Sequence, residues 1–450
     1  MNLVSSNLSR SNVFSFALFG LGAFLRLTSA LWPESFWYDE MITLYFAKLP
    51  VAESFFIDNH PPTFFLLLKL WVSLIGPLDY NSEPVLRLLP FFISVLGLVA
   101  VFGGWSSWGV RIAMVLNPAS IFFASEVRHH SLFELMSILF ILQASKVWGL
   151  RGTPEVSSQY FILAIAALGL IASHFLGVIL ILSFLLLLLF SSLSFEKSPR
   201  ALGATLVVIA MVSIVGWGLE HFWIRADYLG WLTEVHQGSW WFLVKEPLLV
   251  VGSYSRVWTI CLLVALVAML WQSGLQTNFY AKWTFAFFVC IFVTEVVFDR
   301  SLGFRKFMIP GHILMSVALG LGAVEFFKAQ PGAVLRSLAL IALLFGFGIN
   351  VKKIGEDISG LRSGWKTVML RECGNSTQAS VRVWGHPSFD FYFPPSCMQI
   401  TKELSAGEWY VSRDLAHQMK NQIGFIFDLL EVIEPKALEP IQRYRVQLKD

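Results

Sequence analysis

LWPESFWYDEMITLYFAKLPVAESFFIDNHPP, residues 31–62, follows the first apolar run of the chain and closes on a His-Pro-Pro before another apolar segment begins. Its rings, among them Trp32, Phe36, Trp37, Tyr38, Tyr45, Phe46, Phe55 and Phe56, suit a membrane-water interface, where amphipathic aromatics settle. In its middle stand two adjacent carboxylates, Asp39 and Glu40. Acids held in such a belt are either a solvated loop feature or an active site. The rest of the chain has to decide between these readings.

Of the 450 residues 56% are hydrophobic and 14% charged, whereas soluble domains carry about a quarter charged residues. That composition is expected of an all-α polytopic membrane protein. A net charge of +3 without a Lys/Arg block offers no footing for nucleic acid. Cys261 and Cys290 lie in apolar runs and read as small buried hydrophobes, while Cys373 and Cys397 lie in a polar tail. No CxxC and no zinc-type Cys/His spacing occurs, so no residue is assigned to a metal; a divalent ion stays open as a cofactor. The N-terminal stretch lacks a cleavage signal, and the first apolar run is expected to be a retained span.

Apolar segments able to cross a bilayer fall at 13–31, 85–104, 111–126, 131–148, 159–175, 176–194, 201–218, 255–272, 283–298, 309–327 and 335–350, which makes about 11 transmembrane helices. The stretch 62–76 is short and carries Lys69, so it reads as an interfacial helix. With it in the interface and the N-terminus inside, Arg10, Arg111, Lys146, Arg151, Lys197, Arg200, Lys282, Lys328 and Arg336 all fall on the cytoplasmic side, as the positive-inside rule requires. His60, His129, His130, His174, His221 and His236 then gather on the outer side. Counting 62–76 as a span would destroy that pattern.

After Asn350 the composition turns soluble, with strand-like pieces at 380–384 and 389–393 and a helical piece near 411–421. The expected division is therefore a membrane domain, 1–350, and a small C-terminal α+β extracytoplasmic domain, 351–450. An oxidising compartment would permit a Cys373–Cys397 disulfide.

A carboxylate at the outer boundary can accept a proton from an attacking hydroxyl or amine, which is general-base work and the candidate role of Asp39. Glu40 points about 100° away if the segment is helical, and so is a positioning or hydrogen-bonding partner. A departing lipid phosphate calls for cations, and the candidates are Arg300, Arg305 and Lys306 in DRSLGFRKFMIP, together with Arg128 in SEVRHH. Each of these cations also has a plain alternative, snorkelling at the interface. Arg26 and Arg87 sit within or beside apolar spans, where an unpaired cation costs roughly 2.5 to 3.5 kcal/mol, and are expected to pair with outer-loop acids. His60 either contacts substrate or caps a helix that His-Pro-Pro begins. His174, in ASHFLG, is either a substrate contact or a satisfied interfacial histidine.

The succession of an Arg-containing first span, WYDE, HPP, EPVLRLLP, NPASIFFASEVRHHSL, SHF and GFRKFMIP resembles the polyprenyl-phosphate-sugar-dependent transferases of the membrane GT-C class. The nearest likeness is to family 39, the protein mannosyltransferase-like proteins, and to bacterial relatives that include lipid A aminoarabinose transferases. It covers about residues 13–315 and lies in the order of the pieces. The resemblance implies a GT-C fold with juxtamembrane helices in the first outer loop, Asp39 as catalytic base with Glu40 beside it, and a cavity open to the outer face. Substrate-binding residues would be His60, Arg87, Arg128, His129, His174, Arg300, Arg305 and Lys306. His129 replaces the family's usual tyrosine, and Arg305-Lys306 its common Arg-Tyr. Partners would be a polyprenyl-phosphate sugar, a lipid, glycan or protein acceptor, and membrane lipids, in a bacterial inner membrane.

Two other classes compete. A secondary transporter would show paired interrupted helices in two related halves, which the sequence lacks. A polysaccharide polymerase or ligase would share the many spans and outer arginines, but an Asp-Glu pair directly after the first span is not expected of it.

Overall fold

The computed structural model describes residues 3–31, 36, 38–51, 61–76, 82–150, 156–174, 176–192, 264–266, 275–298, 308–329, parts of 332–352, 368–369, 371, 381–384, 398–401, 407–412, 419, 425–433 and 441–448. The expected spans 201–218 and 255–272, the strand at 389–393, and Cys261, Cys373 and Cys397 lie largely or wholly outside these residues.

The helical part runs through α1 (Leu3–Leu31), α2 (Tyr38–Lys48), α3 (Thr63–Ile75), α4 (Glu83–Gly104), α5 (Trp108–Val115), α6 (Pro118–Phe123), α7 (His130–Gly149), α8 (Val156–Ser173), α9 (Gly177–Ser192), α10 (Leu275–Phe298) and α11 (Ile309–Lys328). Among the described residues four stretches, Asn12–Leu31, Glu83–Gly104, His130–Gly149 and Ile309–Lys328, are long and apolar enough to cross a membrane. Phe16, Phe24, Leu96, Phe161 and Phe285 point outward from the bundle, an arrangement that suits lipid and that water would penalise.

A helix forms over the stretch expected to lie in the interface. At 13 residues α3 is about 20 Å long, well short of the roughly 30 Å hydrocarbon core. Pro62 precedes it, and Gly76, at φ +90°, ends it in a conformation that glycine adopts without strain. Phe64, Phe65 and Leu68 pack on Met41, Leu44 and Phe46 of α2. The Lys69 ammonium donates to the Leu49 carbonyl, so its charge is spent on the end of α2.

The expected span 111–126 is not one helix. It breaks at Leu116-Asn117 into α5 and α6, and both broken ends are capped. The Asn117 side chain accepts from Ala119 N at 3.0 Å and Ser120 N at 3.3 Å, with Pro118 in the first helical position, the usual chemistry of a helix start. The buried Arg26 guanidinium donates to the Met114 carbonyl at 3.3 Å, near the end of α5. Irregular backbone at membrane depth is tolerated where protein supplies such partners. Further along, α5 crosses α11 with backbone against backbone. A Cβ on Gly109 would lie 2.1 Å from the Gly320 carbonyl oxygen, so only glycine permits this approach.

The C-terminal strands β1 (Val381–Trp384), β2 (Met398–Thr401), β3 (Gly407–Ser412), β4 (Phe425–Ile433) and β5 (Ile441–Leu448) form one mixed sheet in the order β2-β1-β3-β5-β4. β1 is parallel to β2 and β3, and β5 is antiparallel to β3 and β4. The strand expected at 380–384 is β1. The helix expected near 411–421 fails at its start, because Val411 and Ser412 end β3. Alternation explains it: Trp409 and Val411 enter a core with Met419, Tyr444 and Val446, while Tyr410 faces the other way. On that other face Tyr410 and Ile433, with Val368 and Met369, join the cluster of Phe36, Met41, Leu44, Phe64 and Leu68. The sheet therefore rests on α2 and α3.

Candidate active site

Helix α2 begins at Tyr38, so Asp39 and Glu40 fall in its first turn, where unsatisfied N–H groups favour negative charge. Successive positions are rotated by about 100°, and the two acids part accordingly. The Glu40 side chain is fully buried; that of Asp39 stays 28% exposed.

Both acids are met by the connection 124–129 between α6 and α7. Val127 N–H donates to Glu40 Oε1 at 2.9 Å. Arg87, from the second turn of α4, donates to the same carboxylate from Nη1 at 2.9 Å and from Nη2 at 3.4 Å, and also reaches the Ser125 carbonyl. The Phe36 ring lies 4.5 Å from the guanidinium carbon and closes that pair from one side. Next along the chain, Arg128 forms an ion pair with Asp39. Ser29 Oγ of α1 bonds Ser125 Oγ at 3.0 Å, and Glu126 Oε2 holds His130 Nδ1 at 2.6 Å across one helical turn. Four helices thus converge on six residues of connecting chain.

Beside the acids lies a group of imidazoles. The His129 ring is 4.4 Å from that of His130 and 4.7 Å from that of His174, which follows the end of α8. His174 Nδ1 accepts the Leu176 N–H at 3.1 Å, so its neutral form carries the proton on Nε2. Among the described residues no group of three or more His, Cys, Asp or Glu side chains is arranged to hold a metal ion.

The structure brings Asp39, Glu40, Arg87, Arg128, His129 and His174 to one end of the bundle. His60, Arg300, Arg305 and Lys306 lie outside the described residues. Arg87 takes an outer-loop acid, Glu40, as its sequence position led us to expect. Arg26 does not. It is fully buried about 7 Å below the end of α1, too deep to reach the loop, and bonds Ser94 Oγ at 2.9 Å, the Gly22 carbonyl at 3.2 Å and the Met114 carbonyl. The carboxylate whose charge it feels is Glu134 of α7. Sequence reasoning assigned no role to Glu126, His130 or Glu134. An acid in an apolar span, and an acid four residues before a histidine, were the signals that could have found them.

No protein-family model matches the sequence, and no curated protein matches it significantly. The fold has solved counterparts. ArnT from Cupriavidus metallidurans bound to undecaprenyl phosphate superposes with a TM-score of 0.57 at 11% sequence identity, covering 96% of this chain and 98% of that one. The apo form of the same protein gives a TM-score of 0.55 at 11% identity over the same shares. The chain thus has the fold of ArnT over nearly its whole length.

Proposed function

We infer that this protein is a membrane glycosyltransferase that moves a hexosyl or pentosyl group from a polyprenyl-phosphate donor to a lipid, glycan or protein acceptor on the extracytoplasmic face. The observation that carries this reading is the placement of Asp39. It is the acid left at the open edge of a rigid buried floor, in a fold whose solved counterpart holds undecaprenyl phosphate.

In the reaction, Asp39 accepts the proton of the acceptor hydroxyl or amine while that group attacks the anomeric carbon. The bond from that carbon to the phosphate oxygen breaks, and the lipid phosphate departs with its electron pair. Arg128 holds the Asp39 carboxylate in place before attack. Glu40 and Arg87 act as positioning residues, since their pairing shapes the connection that presents Arg128. His129 and His174 wall the cavity, and His60 contacts substrate. Arg300, Arg305 and Lys306 are assigned to the departing phosphate. Residues 1–350 form the catalytic domain and 351–450 an extracytoplasmic domain, in a bacterial inner membrane with the N-terminus cytoplasmic.

Purified protein in nanodiscs, offered a panel of undecaprenyl-phosphate hexoses and pentoses, should release free undecaprenyl phosphate only when an acceptor is present. A transporter would release none. Asp39→Asn should lower transfer about 100- to 10,000-fold, the worth of a positioned base, while undecaprenyl phosphate binding is retained. Transfer by Asp39→Asn at the unsubstituted rate would remove Asp39 as the base.

A further inference from the structure

A cavity of about 750 Å3 lies away from the acids, between α5, α6, α11 and the helical residues that follow α11. Its volume is in the range of ligand sites. Its wall is apolar, made by Ile112, Leu319, Ala323, Val324, Phe327 and Leu344, and Gly109 and Gly320 line it where α5 crosses α11. Two features bound it along α11. At one end stands the helix break, where Asn117 Nδ2 donates to Ser316 Oγ at 3.3 Å with His312 one turn beyond. At the other end stands Lys328, in the last turn of α11. Lys328 is the charged residue of the lining and forms no ion pair with another described residue.

Length and charge together say what fits. From Ser316 to Lys328 α11 rises about 18 Å, and one leaflet of a roughly 30 Å hydrocarbon core is about 15 Å deep. The apolar wall is therefore one leaflet deep, opens at a cation, and ends at a polar contact. A lysine at the membrane end of an apolar groove is a setting for a phospholipid headgroup, and the cation selects a negative one.

We propose that this groove holds one anionic phospholipid from the leaflet on the Lys328 side, its phosphate on Lys328 Nζ and one acyl chain laid along the seam of α5 and α11. The lipid covers the seam of a helix pair whose backbones meet at Gly109 and Gly320. A polyprenyl donor is the poorer occupant, because its phosphate belongs at the opposite end of the bundle. Its chain would enter across the Asn117–Ser316 contact. Only the exclusion of a polyprenyl donor rests on the transferase reading; the fit of an anionic phospholipid does not.

Native mass spectrometry of the detergent-purified full chain, with dioleoylphosphatidylglycerol and dioleoylphosphatidylcholine in competition, tests it. One phosphatidylglycerol per chain should survive activation, preferred about five-fold over the zwitterionic lipid. Lys328→Gln should abolish that preference and Lys328→Arg should keep it. Ala323→Phe, and independently Leu344→Trp from the facing wall, should abolish retention of both lipids while the protein stays monodisperse; either variant alone, if folded, suffices. An unchanged preference in Lys328→Gln would overturn the proposal. So would displacement of the lipid, one for one, by undecaprenyl phosphate, since the groove would then belong to the donor.

Discussion

The Glu40–Arg87 and Asp39–Arg128 pairs start from neighbouring residues of one helical turn, and their surroundings differ far more than their chemistry. Glu40 and Arg87 are sealed beneath Phe36 with a backbone N–H and a backbone carbonyl completing their bonds. Asp39 keeps 28% of its side chain exposed, although its partner Arg128 is buried. A sealed pair is expensive to break and does no chemistry, because no substrate atom can reach it. A pair open at its carboxylate is cheaper to break, which is what a carboxylate needs if it is to give up its partner and take a proton.

The largest effect expected of this contrast is on the sealed side. Glu40→Ala or Arg87→Ala alone strands a buried charge and should cost about 3 to 5 kcal/mol, read as lost folded yield or a lowered thermal midpoint in detergent. Replacing both by Leu and Met should recover most of it. If the single substitutions melted like the parent, the floor would not be built as described.

A smaller loss is expected where the connection is stapled to its own helix. Glu126→Gln removes the charge that holds His130 Nδ1 and should cost about 1.5 to 3 kcal/mol by the same melting assay. A cost matching that of Glu40→Ala would make the staple, and not Arg87, the main support.

Least of all should come from the open side. In a double-mutant cycle over Asp39→Ala and Arg128→Ala, stability coupling should fall at about 0.5 to 1.5 kcal/mol, more than a surface pair because Arg128 is buried and less than a sealed one because Asp39 is not. Coupling of several kcal/mol there would erase the distinction between the two pairs.

Much of this was legible in advance. Adjacent acids after a first apolar run, with rings around them, pointed to two carboxylates that part by about 100° if the segment is helical, because helical rotation is local geometry. The likeness of the ordered pieces to GT-C transferases pointed to the fold that ArnT shares. The break at Leu116-Asn117 was not read, although Asn-Pro is a helix-start signal: hydropathy averages across a kink whose ends find polar partners. Arg87 was expected to hold an outer-loop acid, but the rest of what holds the Glu40–Arg87 pair was beyond sequence. Val127 contributes a backbone N–H and Ser125 a backbone carbonyl, groups every residue carries, so no side-chain pattern betrays them. The Arg26 environment failed for a related reason, since two of its acceptors are main-chain oxygens.

The resting of the C-terminal sheet on α2 imposes an order of events. Met41 and Leu44 share a core with Tyr410 and Ile433, partners synthesised some 390 residues later. At about 5 to 20 residues per second that is a delay of about 20 to 80 s. During it the helix that bears both acids waits at the membrane surface with one apolar flank uncovered. Nascent chains released early would therefore present an assembled bundle with an unfinished mouth, and quality control acting on exposed apolar surface would have a single place to look.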